Sequence, residues 1–202
     1  DTRLAFTPAA DFHGSISDVV TLKAWDRTGG YTNGEAGVPT IPPVIGTLYT
    51  SGIAYGVTLS PDGNTAYVAD NNAGLQIIDV SDSSNPILIE TFDTSGSPRS
   101  VTLSADGNTA YVADEVSGLQ IIDVRDSSTP TLIGTLEISG AARGVTLSSD
   151  GNTAYVADGT SGLRIIDVSD PSNPTLIETF DTSGSPRSVT LSADGNTAYV
   201  AD

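Results

Sequence analysis

The nonapeptide DGNTAYVAD begins at Asp62 and returns at Asp106, Asp150 and Asp194, a step of 44 residues each time. A fixed period of this length marks propellers, solenoids and related arrays, in which each unit buries what its neighbours bury. Starting each unit at its proline gives 42–85, 86–129, 130–173 and an incomplete 174–202. The unit from Pro86 contains four strand-like segments, LIETFD (88–93), RSVTLS (99–104), TAYVAD (109–114) and LQIIDV (119–124). Gly, Ser, Asp and Pro fill the gaps between them, and no helical period intervenes. Four short strands per unit predict an all-β fold of propeller blades, each of four antiparallel strands. Three whole blades are expected over 55–93, 99–137 and 143–181, with half of a fourth and an open edge near 187–202. Leu88–Asp114 is repeated letter for letter as Leu176–Asp202, as a duplicated two-unit block, or equally an error of sequence assembly, would produce.

The pair Asp106-Gly107 reads as the tip of a two-residue type I′ hairpin, since both residue types tolerate positive φ. That register sets Ala105 opposite Asn108 and Arg99 opposite Asp114. By the same count Arg143 faces Asp158, Arg187 faces Asp202, and Tyr55 faces Asp70. Val101, Leu103, Ala110 and Val112 then share one face, and Thr102, Ser104 and Tyr111 the other. Neither face is charged along its middle, as a sheet sandwiched between two neighbours requires.

Composition narrows the partners. The formal net charge is −17, from 25 acidic against 8 basic side chains, which repels phosphate backbones and argues against nucleic acid. No run of apolar residues approaches a membrane span, and no signal-peptide pattern is present. Cys is absent, so there is no disulfide framework, and Met is absent, so the chain is expected to be a fragment or processed piece of something longer, with further domains of the same polypeptide as partners.

The units GLQIIDVSDSSNPILIETFDTSG and GLRIIDVSDPSNPTLIETFDTSG resemble the LVIVD repeat of bacterial and archaeal surface or secreted proteins. SPDGNTAYVAD is similar to YVTN and TolB-like propeller repeats. Residues 42–202 carry these resemblances. The opening AFTPAADFHGSISDVVTLKAWD, with expected strands at 3–7 and 17–25, resembles the closing strands of a cadherin-like or Ig-like module over 1–30, with 31–41 as a linker. The resemblances imply a β-propeller segment of a large bacterial surface or secreted protein, working outside the cell.

An enzyme site needs unlike groups that converge, which identical units do not supply by themselves. Removing what repeats leaves Tyr55, Asn71, Asn72, Glu115, Arg125 and Arg164 as deviations. The one histidine, His13, has no Cys or second His to work with and reads as a solvent-facing loop residue. The pairs Arg99–Asp114, Arg143–Asp158 and Arg187–Asp202 belong where the innermost strands begin, at the mouth of the central channel. They read first as strand-end pairs and second as a ring of charges that orients a ligand. Tyr67, Tyr111, Tyr155 and Tyr199 read as packing between blades. The loops DVSDSSNP and DVSDPSNP hold oxygen donors but match no calcium motif, so turn formation accounts for them. No cofactor is expected. Calcium is a weaker alternative there and at Asp26, where the cadherin-like resemblance implies it.

The sequence thus predicts a non-catalytic binding or adhesion scaffold for protein or glycan. Its recognition loops are 70–74, 114–118 and 158–162, which read DNNAG, DEVSG and DGTSG while the strands stay constant. The rivals are a lactonase-like propeller hydrolase, with catalytic residues outside this segment, and a purely structural spacer.

Overall fold

The computed structural model describes residues 19–20 and 44–202. The strands β1 (Val19–Val20) and β2 (Leu48–Tyr49) form a short antiparallel ladder. Three four-stranded antiparallel sheets follow. The first holds β3 (Gly56–Leu59), β4 (Thr65–Ala69), β5 (Leu75–Asp79) and β6 (Ile87–Phe92). The second holds β7 (Pro98–Leu103), β8 (Thr109–Asp114), β9 (Gly118–Asp123) and β10 (Thr131–Leu136). The third holds β11 (Ala142–Leu147), β12 (Thr153–Asp158), β13 (Leu163–Asp167) and β14 (Thr175–Phe180). Last come β15 (Ser188–Leu191) and β16 (Ala198–Ala201), half a sheet whose outer edge has no ladder partner among the described residues. The all-β blade architecture and the three-and-a-half count are those the period predicts. His13, Asp26, the segment 3–7, the linker 31–41 and most of the cadherin-like stretch lie outside the described residues.

The blades pack face to face. Tyr67, Ala69, Leu75 and Ile77 of the first blade form one buried cluster with Val101, Ala110, Val112, Ile122 and Val124 of the second. One period on, Tyr111, Ala113, Leu119 and Ile121 meet Ala142, Val145, Ala154, Val156, Ile166 and Val168. The alternation Ala-Tyr-Val-Ala explains this. Ala110 and Val112 point to one neighbour, Tyr111 and Ala113 to the other, and the small alanines, fully buried, let the sheets approach. The innermost strands lie side by side, with the Val145 N–H donating to Ser100 Oγ at 3.4 Å. The outermost strand of the third blade is exposed along its whole length, as a rim strand should be.

The counted hairpin register holds from Leu103 back to Ser100, but the turn type does not. Leu103 pairs with Ala110 and Thr102 with Tyr111, as counted. The tip, however, is a four-residue loop around a type I turn: Ser104 N–H bonds the Thr109 carbonyl at 2.9 Å, and Gly107 N–H bonds that of Ser104 at 2.9 Å. Gly107 has φ +74°, whereas Asp106 is not among the residues of positive φ, which excludes type I′. The Asp106 side chain is responsible. It accepts from Ser104 Oγ (2.6 Å), from the Asn108 N–H (3.1 Å) and from Asn108 Nδ2 (2.8 Å), and so holds the wider loop closed.

The same bonds have a pH consequence. The serine hydroxyl, followed by the backbone N–H of the asparagine, holds Asp62, Asp106, Asp150 and Asp194 below the usual Asp value. A depressed folded-state pKa contributes stability above the unfolded value, 3.8, and loses it as pH falls through the lower folded value. Replacing Ser60, Ser104, Ser148 and Ser192 together by Ala is expected to flatten the fall in Tm between pH 5 and pH 2.5 relative to the parent. Thermal melts of both proteins in matched salt measure this, because relief of the chain's negative self-repulsion on acidification is common to both.

Candidate functional site

The residues that open the inner strands were expected to pair with the aspartates that close the next strands. They do not. In the second blade the ladder runs from Ser100↔Ala113 directly to Pro98↔Asp114, and in the third from Gly144↔Ala157 to Ala142↔Asp158. Arg99 and Arg143 sit at a bulge and leave the ladder. Among the described residues, Arg187 is held only through its backbone, its N–H donating to the Ala201 carbonyl at 2.8 Å. Asp202 instead accepts from Thr182 Oγ1 at 3.0 Å. Tyr55, too, is tied by its N–H to Ala69 (2.9 Å), while the Asp70 carboxylate takes the Gly52 N–H at 3.2 Å.

The aspartates are occupied elsewhere. Asp70, Asp114 and Asp158 are fully buried, each under the Ser-Gly link that enters its own blade's inner strand. Asp114 Oδ1 accepts from the backbone N–H of Ser97 (2.7 Å), Val116 (3.2 Å) and Ser117 (3.3 Å). It thereby ties the link to the loop between β8 and β9. Gly96 rests against this carboxylate so closely that a Cβ there would fall 1.8 Å from Oδ1. Asp158 takes a different partner, Arg164, whose Nε lies 3.0 Å from Oδ2. Arg164 also reaches Thr179 Oγ1 (2.9 Å) and Ser139 Oγ (2.8 Å). In the other two blades Gln76 and Gln120 stand at that position and donate to the backbone carbonyls of Ala73 and Thr94, at 2.7 Å each.

The side chains released by this arrangement converge. Tyr55, Arg99, Arg143, Arg187 and Glu115 line one hollow of about 330 Å³ where the inner strands begin. Arg99 lies over the Tyr55 ring, 4.1 Å from its centroid, a cation–π contact. Its Nε donates to Glu115 Oε2 at 2.9 Å, and its Nη2 bonds the same oxygen. Burial pulls the Arg99 guanidinium down, but Glu115 and Tyr55 more than offset this and leave it above its ordinary value. Arg143 Nη2 is 4.0 Å from the other oxygen of Glu115, and its Nη1 donates to Ser185 Oγ at 3.2 Å. The Arg187 side chain is exposed and has no side-chain partner among the described residues.

Three of the five basic side chains within 44–202 therefore share one hollow in a strongly acidic chain. Asn71 and Asn72 do not join them. They form a 3-10 turn, Asn71–Ala73, in the first loop, with Asn71 at φ +34°. The third loop carries a matching turn, Gly159–Ser161, and the second carries Val116, 73% exposed. Arg125 lies apart, 3.2 Å from Asp123 at the surface. Ser185 was not foreseen, because nothing in its repeated link distinguishes it until Arg143 is seen to reach it. In the DVSD loops, Asp79 and Asp82 each accept from the serine two residues on, at 2.6 Å from its hydroxyl. No group of three or more His, Cys, Asp or Glu side chains suited to a metal occurs among the described residues.

Tyr67 and Tyr111 are buried between blades at 2% and 3% exposure, whereas Tyr199, with no further blade packed on it among the described residues, is 60% exposed.

Solved structures share this fold. A functionally unknown protein from Desulfotomaculum acetoxidans DSM 771 is similar at 23% identity, with a TM-score of 0.66 over 79% of this chain and 52% of that one. A provisionally named 6-phosphogluconolactonase from Bacteroides uniformis ATCC 8492 is similar at 22% identity, with a TM-score of 0.64 over 75% and 48%. The β-propeller domain of Myceliophteria thermophila Cps50 (Swd1) is similar at 16% identity, with a TM-score of 0.64 over 79% and 57%. The chain thus spans about half the length of these structures, and the likeness is one of fold. No curated protein matches it. The LVIVD repeat matches three times, over 51–94, 95–137 and 139–182, one match to each complete blade. With most of its length accounted for in this way, the chain belongs to the LVIVD repeat family.

Proposed function

We propose that this segment is a non-catalytic binding scaffold of a larger bacterial surface or secreted protein, presenting one end of its blade arc to a protein or glycan outside the cell. The observation that carries the reading is where variation falls. The strands repeat and their faces are buried, while loops 70–74, 114–118 and 158–162 differ and stand at the end where the inner strands begin. Exposed apolar groups, Val116 at 73% and Tyr55 at 46%, lie at that same end. Exposed apolar atoms beside fixed charges are what recognition surfaces offer. Glu115, the carboxylate in the hollow, is engaged by Arg99 and Arg143, which leaves it poorly placed to act as a base.

The test exchanges the three loops among the blades and compares glycan and protein arrays probed with parent and variant. Because the loops are interchangeable units on constant strands, the variant is expected to fold with an unchanged β spectrum and to lose or change its partners. Unchanged binding by the loop-exchanged protein, or turnover of a sugar lactone by the parent, contradicts the proposal.

A further inference from the structure

We propose that the hollow where the inner strands begin is an oxyanion subsite, taking the carboxylate or phosphate group of a ligand whose bound part is about the size of one sugar residue. The inference rests on the reading of this end of the arc as the binding end and adds the chemistry of what it binds.

Charge balance is the first argument. Three guanidinium groups and one carboxylate line the hollow, a formal surplus of two positive charges within a chain of formal charge −17. Gathering like charges in one place costs Coulomb energy, and the cost is recovered when an anion sits among them. Glu115 recovers only part of it. It is spent mainly on Arg99, which is fixed further by the Tyr55 ring, and it reaches Arg143 only at 4.0 Å.

Geometry is the second. Arg143, in the inner strand β11, and Arg187, immediately before the adjacent inner strand β15, occupy equivalent positions in the repeat and line the hollow from neighbouring blades. A guanidinium presents parallel N–H donors at the spacing of carboxylate or phosphate oxygens. Arg187, without a side-chain partner among the described residues, keeps all its donors for a ligand. The volume of about 330 Å³ sets the size class, at the lower end of small-molecule sites.

The experiment titrates the chain with D-galacturonate, glucose 6-phosphate, D-galactose and inorganic phosphate, following backbone amide shifts by NMR. The expected result is saturable binding of both charged sugars, with the largest shifts at Gly56, Ser100, Gly144 and Ser188, and none with galactose. Binding should weaken between 50 and 500 mM NaCl. Equal affinity for inorganic phosphate identifies the free anion as the source, and tighter binding of the charged sugars identifies a sugar acid or ester. Arg143→Gln and Arg187→Gln should each lower affinity about tenfold or more, while Arg125→Gln, outside the hollow, leaves it unchanged. Galactose binding as well as galacturonate, no shifts with any anion, or indifference to both substitutions would overturn the proposal. Array partners that persist in the Arg143→Gln, Arg187→Gln double variant would remove the subsite and leave the scaffold reading standing.

Discussion

Tyr111→Ala is expected to lower the unfolding free energy by about 3–5 kcal/mol, and Tyr199→Ala to change it by no more than about 0.5 kcal/mol. The two tyrosines occupy the same place in two stretches of identical sequence, so local propensity, turn chemistry and strand pattern are the same for both. What differs is the neighbour. Tyr111 is 3% exposed and packed against Ala142, Val145, Ala154 and Val156 of the next blade, while Tyr199 is 60% exposed. Burial also pushes the Tyr111 phenol pKa up, with the Asp106 charge adding to the effect. Urea denaturation of each variant measures the difference. Similar losses at the two positions would mean that tyrosine acts within its own blade and not between blades.

Arg164→Ala is expected to cost about 3–5 kcal/mol, the range for removing one partner of a buried ion pair. Asp158 is wholly buried and the Arg164 side chain 13% exposed, so the carboxylate would be left without a counter-charge where water cannot supply one. The link at Ser139 and the outer strand at Thr179 would lose their tie to Arg164 at the same time. Arg164→Gln should be milder but still destabilising, since Gln120 serves its own blade by bonding the Thr94 carbonyl and not by compensating the aspartate. Chemical denaturation of both variants at pH 7 decides the matter. A cost below about 1 kcal/mol for Arg164→Ala would place the pair with exposed ion pairs, which contribute little.

The fold was legible because the repeat states each local rule four times. Period-2 alternation in TAYVAD assigns Ala110 and Val112 to one face and Tyr111 to the other, and the period of 44 then requires a like sheet on each side. The site was legible only in part. Arg99, Arg143, Arg187, Tyr55 and Glu115 stand out in the sequence and do meet, but not through the expected aspartates. Counting register from a hairpin tip assumes an unbroken ladder. The bulge that frees Arg99 accompanies the capture of the Ser97 N–H by Asp114, across 17 residues, and no local pattern announces such a contact. The type I′ turn failed for a similar reason. Asp-Gly permits it, but the Asp106 carboxylate bonding Ser104 and Asn108 stabilises a wider loop. Arg164 is visible as a deviation from glutamine, yet its role emerges only when Asp158 is seen to be buried beside it.

Everything proposed for the hollow requires that successive repeats share one core, face against face, which holds the inner strands of neighbouring blades side by side. A double-mutant cycle joining Ile121→Ala in the second blade to Val156→Ala in the third measures this directly, both residues being fully buried in one cluster. The account predicts a coupling of about 0.5–3 kcal/mol between them. Strict additivity, to within about 0.3 kcal/mol, would mean that the two blades do not stack, and would contradict it.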